Sequence, residues 1–156
     1  MKGNDQLIDS LNRLLADELT ATNQYIVHSE MCKNWGYEHL HEVIEKRAID
    51  EMKHAEMLIA RILFLEGRPI VSTLNPIHIG ASVAEMHEND VQSEYTAVAA
   101  YNQAIQQAVE VSDNTTRSML EDILEDEEEH IDWLEAQRDQ IAQMGLPNYL
   151  AQQAED

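Results

Sequence analysis

The segment "IDEMKHAEM", residues 49–57, sets Glu51 three residues before His54, and "DEEEHIDWL", residues 126–134, does the same with Glu127 and His130. Residues three apart on a helix share a face, so each segment turns a carboxylate and an imidazole towards one point. Composition accounts for part of this. With 7 His and 19 Glu in 156 residues, about one Glu-x-x-His is expected by chance, and three occur. The third pairs Glu38 with His41. The motif needs support from its place in the chain.

That support comes from hydrophobic period. Four ladders with alternating steps of three and four run along the chain. They are Leu7, Leu11, Leu14, Glu18, Ala21, Tyr25, His28, Cys32; then Ile44, Ala48, Glu51, Ala55, Leu58, Ile62, Leu65; then Val91, Glu94, Val98, Tyr101, Ile105, Ala108; and Leu120, Ile123, Glu127, His130, Leu134, ending near Ile141. They predict four amphipathic helices over roughly 5–34, 38–65, 82–111 and 114–144. "WGY" at 35–37 is a short turn that makes the first two an antiparallel hairpin. Ser82 with Glu85 reads as a capping box, and Gly145 with Pro147 closes the fourth helix before a short fifth. Between helices two and three, residues 67–81 hold two of the three prolines and two of the five glycines. Fifteen extended residues span about 50 Å and a 28-residue helix about 42 Å, so this linker can return the full length of the bundle. Helices two and three are then parallel. The expected fold is an all-α four-helix bundle with a long crossover, one domain over 1–156.

Each ladder carries one Glu where an apolar residue belongs: Glu18, Glu51, Glu94 and Glu127. Seventy-six residues separate Glu18 from Glu94, Glu51 from Glu127, and His54 from His130. Each Glu falls near mid-helix, so all four meet at one level whichever way the helices run. Carboxylates buried together repel and resist ionising unless a cation compensates them. A structural polar network accounts poorly for six such groups at matched level, and a metal site accounts for them directly. Glu38 and His41 have Asn114 and Arg117 at the same offset and read as a solvated helix start.

The rest of the composition bounds the function. A net charge of −20 opposes binding to nucleic acid or an anionic membrane and suits a protein that attracts cations. No apolar run approaches a membrane span, and the first residues lack a signal-peptide core. The lone Cys32 excludes a disulfide framework and any Cys-rich zinc or rubredoxin-like module within this sequence, and fits a reduced cytoplasmic setting.

Two helices giving Glu and two giving Glu-x-x-His is the donor pattern of ferritin-like di-iron proteins. The sequence resembles the bacterioferritins, the haem-containing branch of that family, through "MKG" (1–3), "LNRLLADELTATNQY" (11–25), "NWG" (34–36), "IDEMKHAE" (49–56), "RILFLEG" (61–67), "DEEEHIDWLE" (126–135) and "MGLPNYL" (144–150). The resemblance implies a ferritin-like bundle in which Glu51 and Glu127 bridge two irons. Glu18 and His54 would complete one iron, and Glu94 and His130 the other. It implies a ferroxidase that oxidises Fe²⁺ with O₂ or H₂O₂ and stores Fe³⁺ as mineral in a hollow shell of twenty-four identical chains built from dimers. It also implies haem b, one per two subunits, ligated by Met52 from each subunit across a two-fold axis, with a small ferredoxin as electron donor. Helix geometry agrees that Met52, beside an inward Glu51, points out of the bundle, where interface packing is its ordinary role.

Two positions depart from the family pattern. Lys46 stands where an inner-surface His is frequent, which argues against an auxiliary iron site with Asp50, and Glu45 stands where an aromatic is common near the haem. Tyr25 is either a core tyrosine with a satisfied hydroxyl or a redox-active neighbour of the site. Trp35 and Trp133 read as packing or interface residues on faces that the ladders leave outside. Two rival readings are a non-storage di-iron oxidase or peroxidase and a metal-free helical scaffold.

Overall fold

The computed structural model describes residues 1–154, which form five helices: α1 (Asp5–Asn34), α2 (Glu38–Phe64), α3 (Val83–Glu110), α4 (Asn114–Met144) and α5 (Leu146–Gln153). The ends follow local chemistry. Asn4, Ser82 and Asp113 cap α1, α3 and α4 by accepting from the amides of Leu7, Glu85 and Thr116. Glu85 reaches back to the amide of Ala81, closing the predicted box one residue early. Gly36 and Gly145 take φ of +83° and +82°, the left-handed region that ends α1 and α4 sharply. Leu65 and Val111, placed inside helices by the predicted bounds, are capping residues, and Ser82 is the N-cap that the capping box predicts.

Helices α1 and α2 form one antiparallel hairpin and α3 and α4 a second. The crossover climbs along α1, and its hydrogen bonds record the direction. Asn12 bonds the backbone of Arg68 and Ile70, Thr20 accepts from Asn75, Gln24 from His78, and His28 from Gly80. Both series rise together, so the strap runs parallel to α1 and returns the chain to the level where α2 began. Helices α2 and α3 are therefore parallel, as the linker length predicts.

The apolar core lies in two layers. One holds Leu11, Leu15, Leu58, Ile62, Tyr101, Leu120 and Ile123, and the other Tyr25, Cys32, Leu40, Ile44, Met86 and Tyr149. Each buried Leu or Ile contributes about 1.5–3 kcal/mol, and together they offset the polar groups placed between the layers. Tyr149 brings α5 into the second layer and bonds His87 and Gln137.

Two sequence expectations are corrected here. His41 does not belong to a solvated helix start. The first turn of α2 packs on the last turns of α1, so His41 is buried with its Nδ1 3.1 Å from the Ser29 carbonyl. Trp133 is not left outside either: it lies half-buried, edge-on to His87 and under the Arg47 guanidinium at 5.5 Å. Trp35 does remain 40% exposed.

Gly80 ends the strap against the start of α3, where an added Cβ would stand 2.4 Å from the Met86 nitrogen and 2.7 Å from its Cα. Backbone cannot yield as a side chain can. Gly80→Ala should destabilise the fold by about 1–3 kcal/mol, seen as a lower thermal midpoint, whereas Gly36→Asn should be nearly neutral.

Candidate metal centre

Glu18, Glu51 and Glu127 are each the fourteenth residue of their helix, and Glu94 is the twelfth. Their ladders turn all four inward, and none is more than 2% exposed. His54 and His130, one turn further along α2 and α4, are also buried. All six sequence-predicted residues meet at mid-bundle in two groups. Glu18, Glu51, His54 and Glu127 form one, and Glu51, Glu94, Glu127 and His130 the other, so Glu51 and Glu127 belong to both.

His54 Nδ1 lies 3.0 Å from Glu127 and 3.6 Å from Glu18, while His130 Nδ1 lies 3.0 Å from Glu51 and 3.5 Å from Glu94. Despite these separations, seven buried atoms here have no hydrogen-bond partner among the described residues: Glu18 Oε2, Glu51 Oε1, His54 Nδ1, Glu94 Oε2, both Glu127 oxygens and His130 Nδ1. The atoms are close to one another without being aligned on one another. That is the arrangement of donors converging on a shared point, and its cost as an apo structure is high. Carboxylate oxygen with imidazole nitrogen suits Fe, Zn or Mn in the divalent state.

A further ring of residues orients these six. His54 Nε2 meets Asp126 at 2.8 Å and His130 Nε2 meets Asp50 at 3.5 Å, which turns each Nδ1 into the cluster. Tyr101 donates to Glu18 at 2.5 Å and Tyr25 donates to Glu94. The Tyr25 hydroxyl thus serves the Glu of α3, although the residue shares a helix with Glu18. Tyr101 and Asp126 have no site role in the sequence reading, and Asp50 enters it only with the auxiliary iron site that Lys46 argues against. The signal was present: Tyr25 and Tyr101, like Asp50 and Asp126, are 76 residues apart.

The electrostatics are those of a cluster short of positive charge. Burial, then the charges of Glu18, Glu127 and Glu94, raises the Glu51 pKa well above the carboxylate range. Burial with Glu94 and Glu18 pushes Glu127 up to about 8. Burial opposes the His54 cation, but Glu127, Glu18 and Asp126 together raise it to about 11, and His130 is raised in the same sense by Glu127 and Glu94. Burial and the neighbouring carboxylates keep both tyrosines well above their ordinary range, hence as neutral donors. A bound cation would compensate these carboxylates and compete with the protons that burial favours on them.

A cleft of about 550 Å³ between α1, α3 and the strap leads from exposed Asn75, Gln92 and Thr96 down to Glu18, Glu94 and Glu127. Asp17 stands at its mouth, raised to about 6 by burial and by the charge of Glu18. Met52, by contrast, is remote from this cluster in direction: it is 42% exposed on the outer face of α2, near Ile49 at 46%.

Comparison with known proteins agrees with this architecture. The ferritin-like domain family matches residues 8–144. The bacterioferritin of Brucella melitensis is 40% identical over 96% of this chain and 92% of its own. The bacterial ferritin of Synechocystis sp. is 42% identical over 98% and 99%, and the bacterioferritin of Mycolicibacterium paratuberculosis 40% over 97% and 96%. The chain belongs to the ferritin-like family and, within it, to the bacterioferritins.

The raised Glu127 makes a prediction for the metal-free protein. A carboxyl whose folded pKa lies above its unfolded value binds its proton more tightly when folded, so its contribution falls as pH rises from about 4.5 to about 8. His54, raised from 6.5 to about 11, acts in the same direction at higher pH. Thermal unfolding of apoprotein should show Glu127→Gln gaining on wild type across pH 5–8, by on the order of 1 kcal/mol. Saturating divalent metal should remove the gain.

Proposed function

We propose that this chain is an iron-storing ferroxidase, taking Fe²⁺ as substrate at the six-residue cluster. The seven unpaired buried donor atoms carry this reading. Glu51 and Glu127, common to both groups, are the residues to bridge two ions, with Glu18 and His54 completing one side and Glu94 and His130 the other. Two Fe²⁺ give up one electron each, which matches the two-electron reduction of H₂O₂ to water or of O₂ to H₂O₂. Four carboxylates favour the higher charge of the product Fe³⁺, and the same donor set accepts both oxidation states. Tyr25 and Tyr101 hold the terminal carboxylates in place, and Asp126 and Asp50 set the imidazoles. The cleft beneath the strap supplies an access path that keeps its acidic lining towards the cation.

Storage needs an enclosed volume that one bundle lacks, and the assembly proposed is a twenty-four-chain homo-oligomer built from dimers. In support, Ile26, Ile49, Met52 and Trp35 are 40–49% exposed on the outer side of the α1–α2 hairpin, an apolar patch suited to a self-complementary interface. Met52 would hold haem b, one haem between two chains, each giving a neutral thioether. Haem would supply one-electron redox chemistry there, with a small ferredoxin as its donor, for reductive release of stored iron. No described helix is long and apolar enough to cross a membrane.

Glu127→Ala and His130→Ala should each abolish the rapid phase of Fe²⁺ oxidation in stopped-flow absorbance. Wild-type-like kinetics in both would remove the cluster from the reaction. Iron per chain separates storage from the rival readings: a store takes up far more than two, an oxidase saturates near two, and a scaffold binds none. Met52→Leu should lose haem and its absorption bands while keeping Fe²⁺ oxidation, because the six residues are untouched. Retention of one haem per two chains with an unchanged spectrum would place the ligand elsewhere.

A further inference from the structure

A second set of metal-type donors lies at the turn end of the α1–α2 hairpin. Glu30 of α1 and His41 and Glu45 of α2 bring one donor atom each within 4.8 Å of one another. His41 is the residue that decides what this set can do. It is 7% exposed, and its ring is held by Ser29, with Nδ1 3.1 Å from the Ser29 carbonyl oxygen and 2.9 Å from Oγ. A carbonyl can only accept, so Nδ1 carries the proton. The Ser29 hydroxyl donates to the His41 carbonyl at 3.1 Å, which leaves its oxygen free to share that proton. In the neutral ring Nε2 is then a bare lone pair on the side of Glu45. A ring nitrogen anchored to a backbone carbonyl with its other nitrogen facing acidic oxygens is the usual preparation of a metal-binding imidazole.

The spacing agrees. Nε2 stands 3.6 Å from Glu45 Oε2, too long for a hydrogen bond. Two donors bound to one ion at 2.0–2.2 Å in tetrahedral array lie about 3.4 Å apart, so the gap suits two ligands with an ion between them. Glu45 follows His41 by four residues on the same face of α2, and Glu30 approaches from the neighbouring helix. We infer that Glu30, His41 and Glu45 form a binding site for one divalent first-row transition-metal ion. One imidazole and two carboxylates on two packed helices match Zn²⁺, Fe²⁺ or Co²⁺ better than Mg²⁺ or Ca²⁺, which favour all-oxygen shells. His41 precedes Glu51 by ten helical residues, about 15 Å, so the site is separate from the mid-bundle cluster. The Glu-x-x-His spacing pairs His41 with Glu38 in the sequence. The residue four positions later and the helix alongside supply its true neighbours.

Zn²⁺ alone tests this. Apoprotein crystals soaked in Zn²⁺ and measured on both sides of the zinc edge should show an anomalous peak bounded by Glu30, His41 and Glu45. Glu30→Gln/Glu45→Gln changes two exposed side chains and leaves His41 packed on Ser29, so folding is not at issue. Equilibrium dialysis should count one fewer zinc per chain in that variant, with Fe²⁺ oxidation at the wild-type rate. An empty triad in wild type, or a peak that persists in the variant, overturns the site. Neither result touches the mid-bundle cluster, whose zinc is counted at its own position.

Discussion

Four carboxylates in the middle of an apolar bundle are the constraint on which this structure depends. Left alone they would repel one another and protonate, and burial makes each charge more costly than it is in water. The chain answers with positive character drawn from within: two imidazoles raised towards their cationic form and two carboxyls raised towards their neutral form. That balance is a placeholder, because it leaves seven polar atoms without partners. Two dry layers of Leu, Ile and Tyr above and below supply the stability that lets the cluster exist before a cation arrives.

The site is built twice from similar parts. Each hairpin contributes a Glu, a Glu-x-x-His, a supporting Asp and a Tyr, related throughout by 76 residues. The tyrosines cross between hairpins, so each half of the molecule fixes the carboxylate of the other. Neither hairpin could form the site alone. The crossing bonds couple the mutual register of the two hairpins to the position of the donors.

The symmetry fails where the strap ends. His28 and Asp90 are buried there and paired at 2.9 Å, whereas their counterparts at the same offset, Ala104 and Leu14, sit in the apolar layer. The cause is the strap itself. The strap meets the start of α3 at this end, and its amides at His78 and Gly80 need acceptors, which Gln24 and His28 supply. Asp90 then takes the donors of both side chains. A polar end and an apolar end follow from a single connection lying on one side of the bundle.

Helical period and chain length are local properties, and from them the sequence determined the four long helices, the level of the glutamates and a linker long enough to make α2 and α3 parallel, while local residue type marked the ends at Ser82 and Gly145. The six cluster residues were legible for the same reason, since the four glutamates break their ladders and His54 and His130 repeat the same offset. What period cannot say is which neighbouring element covers a given face. Trp133 looked exposed until α2 and α3 supplied its surroundings, and His41 looked solvated until α1 closed over it. Tyr25 shares a face with Glu18 in sequence, yet its hydroxyl reaches Glu94, because the end of a long side chain is placed by the rotation of one helix against another. Only the packed tertiary structure decided these pairings, since a hydrogen bond depends on tenths of an ångström between helices that the one-dimensional pattern does not contain.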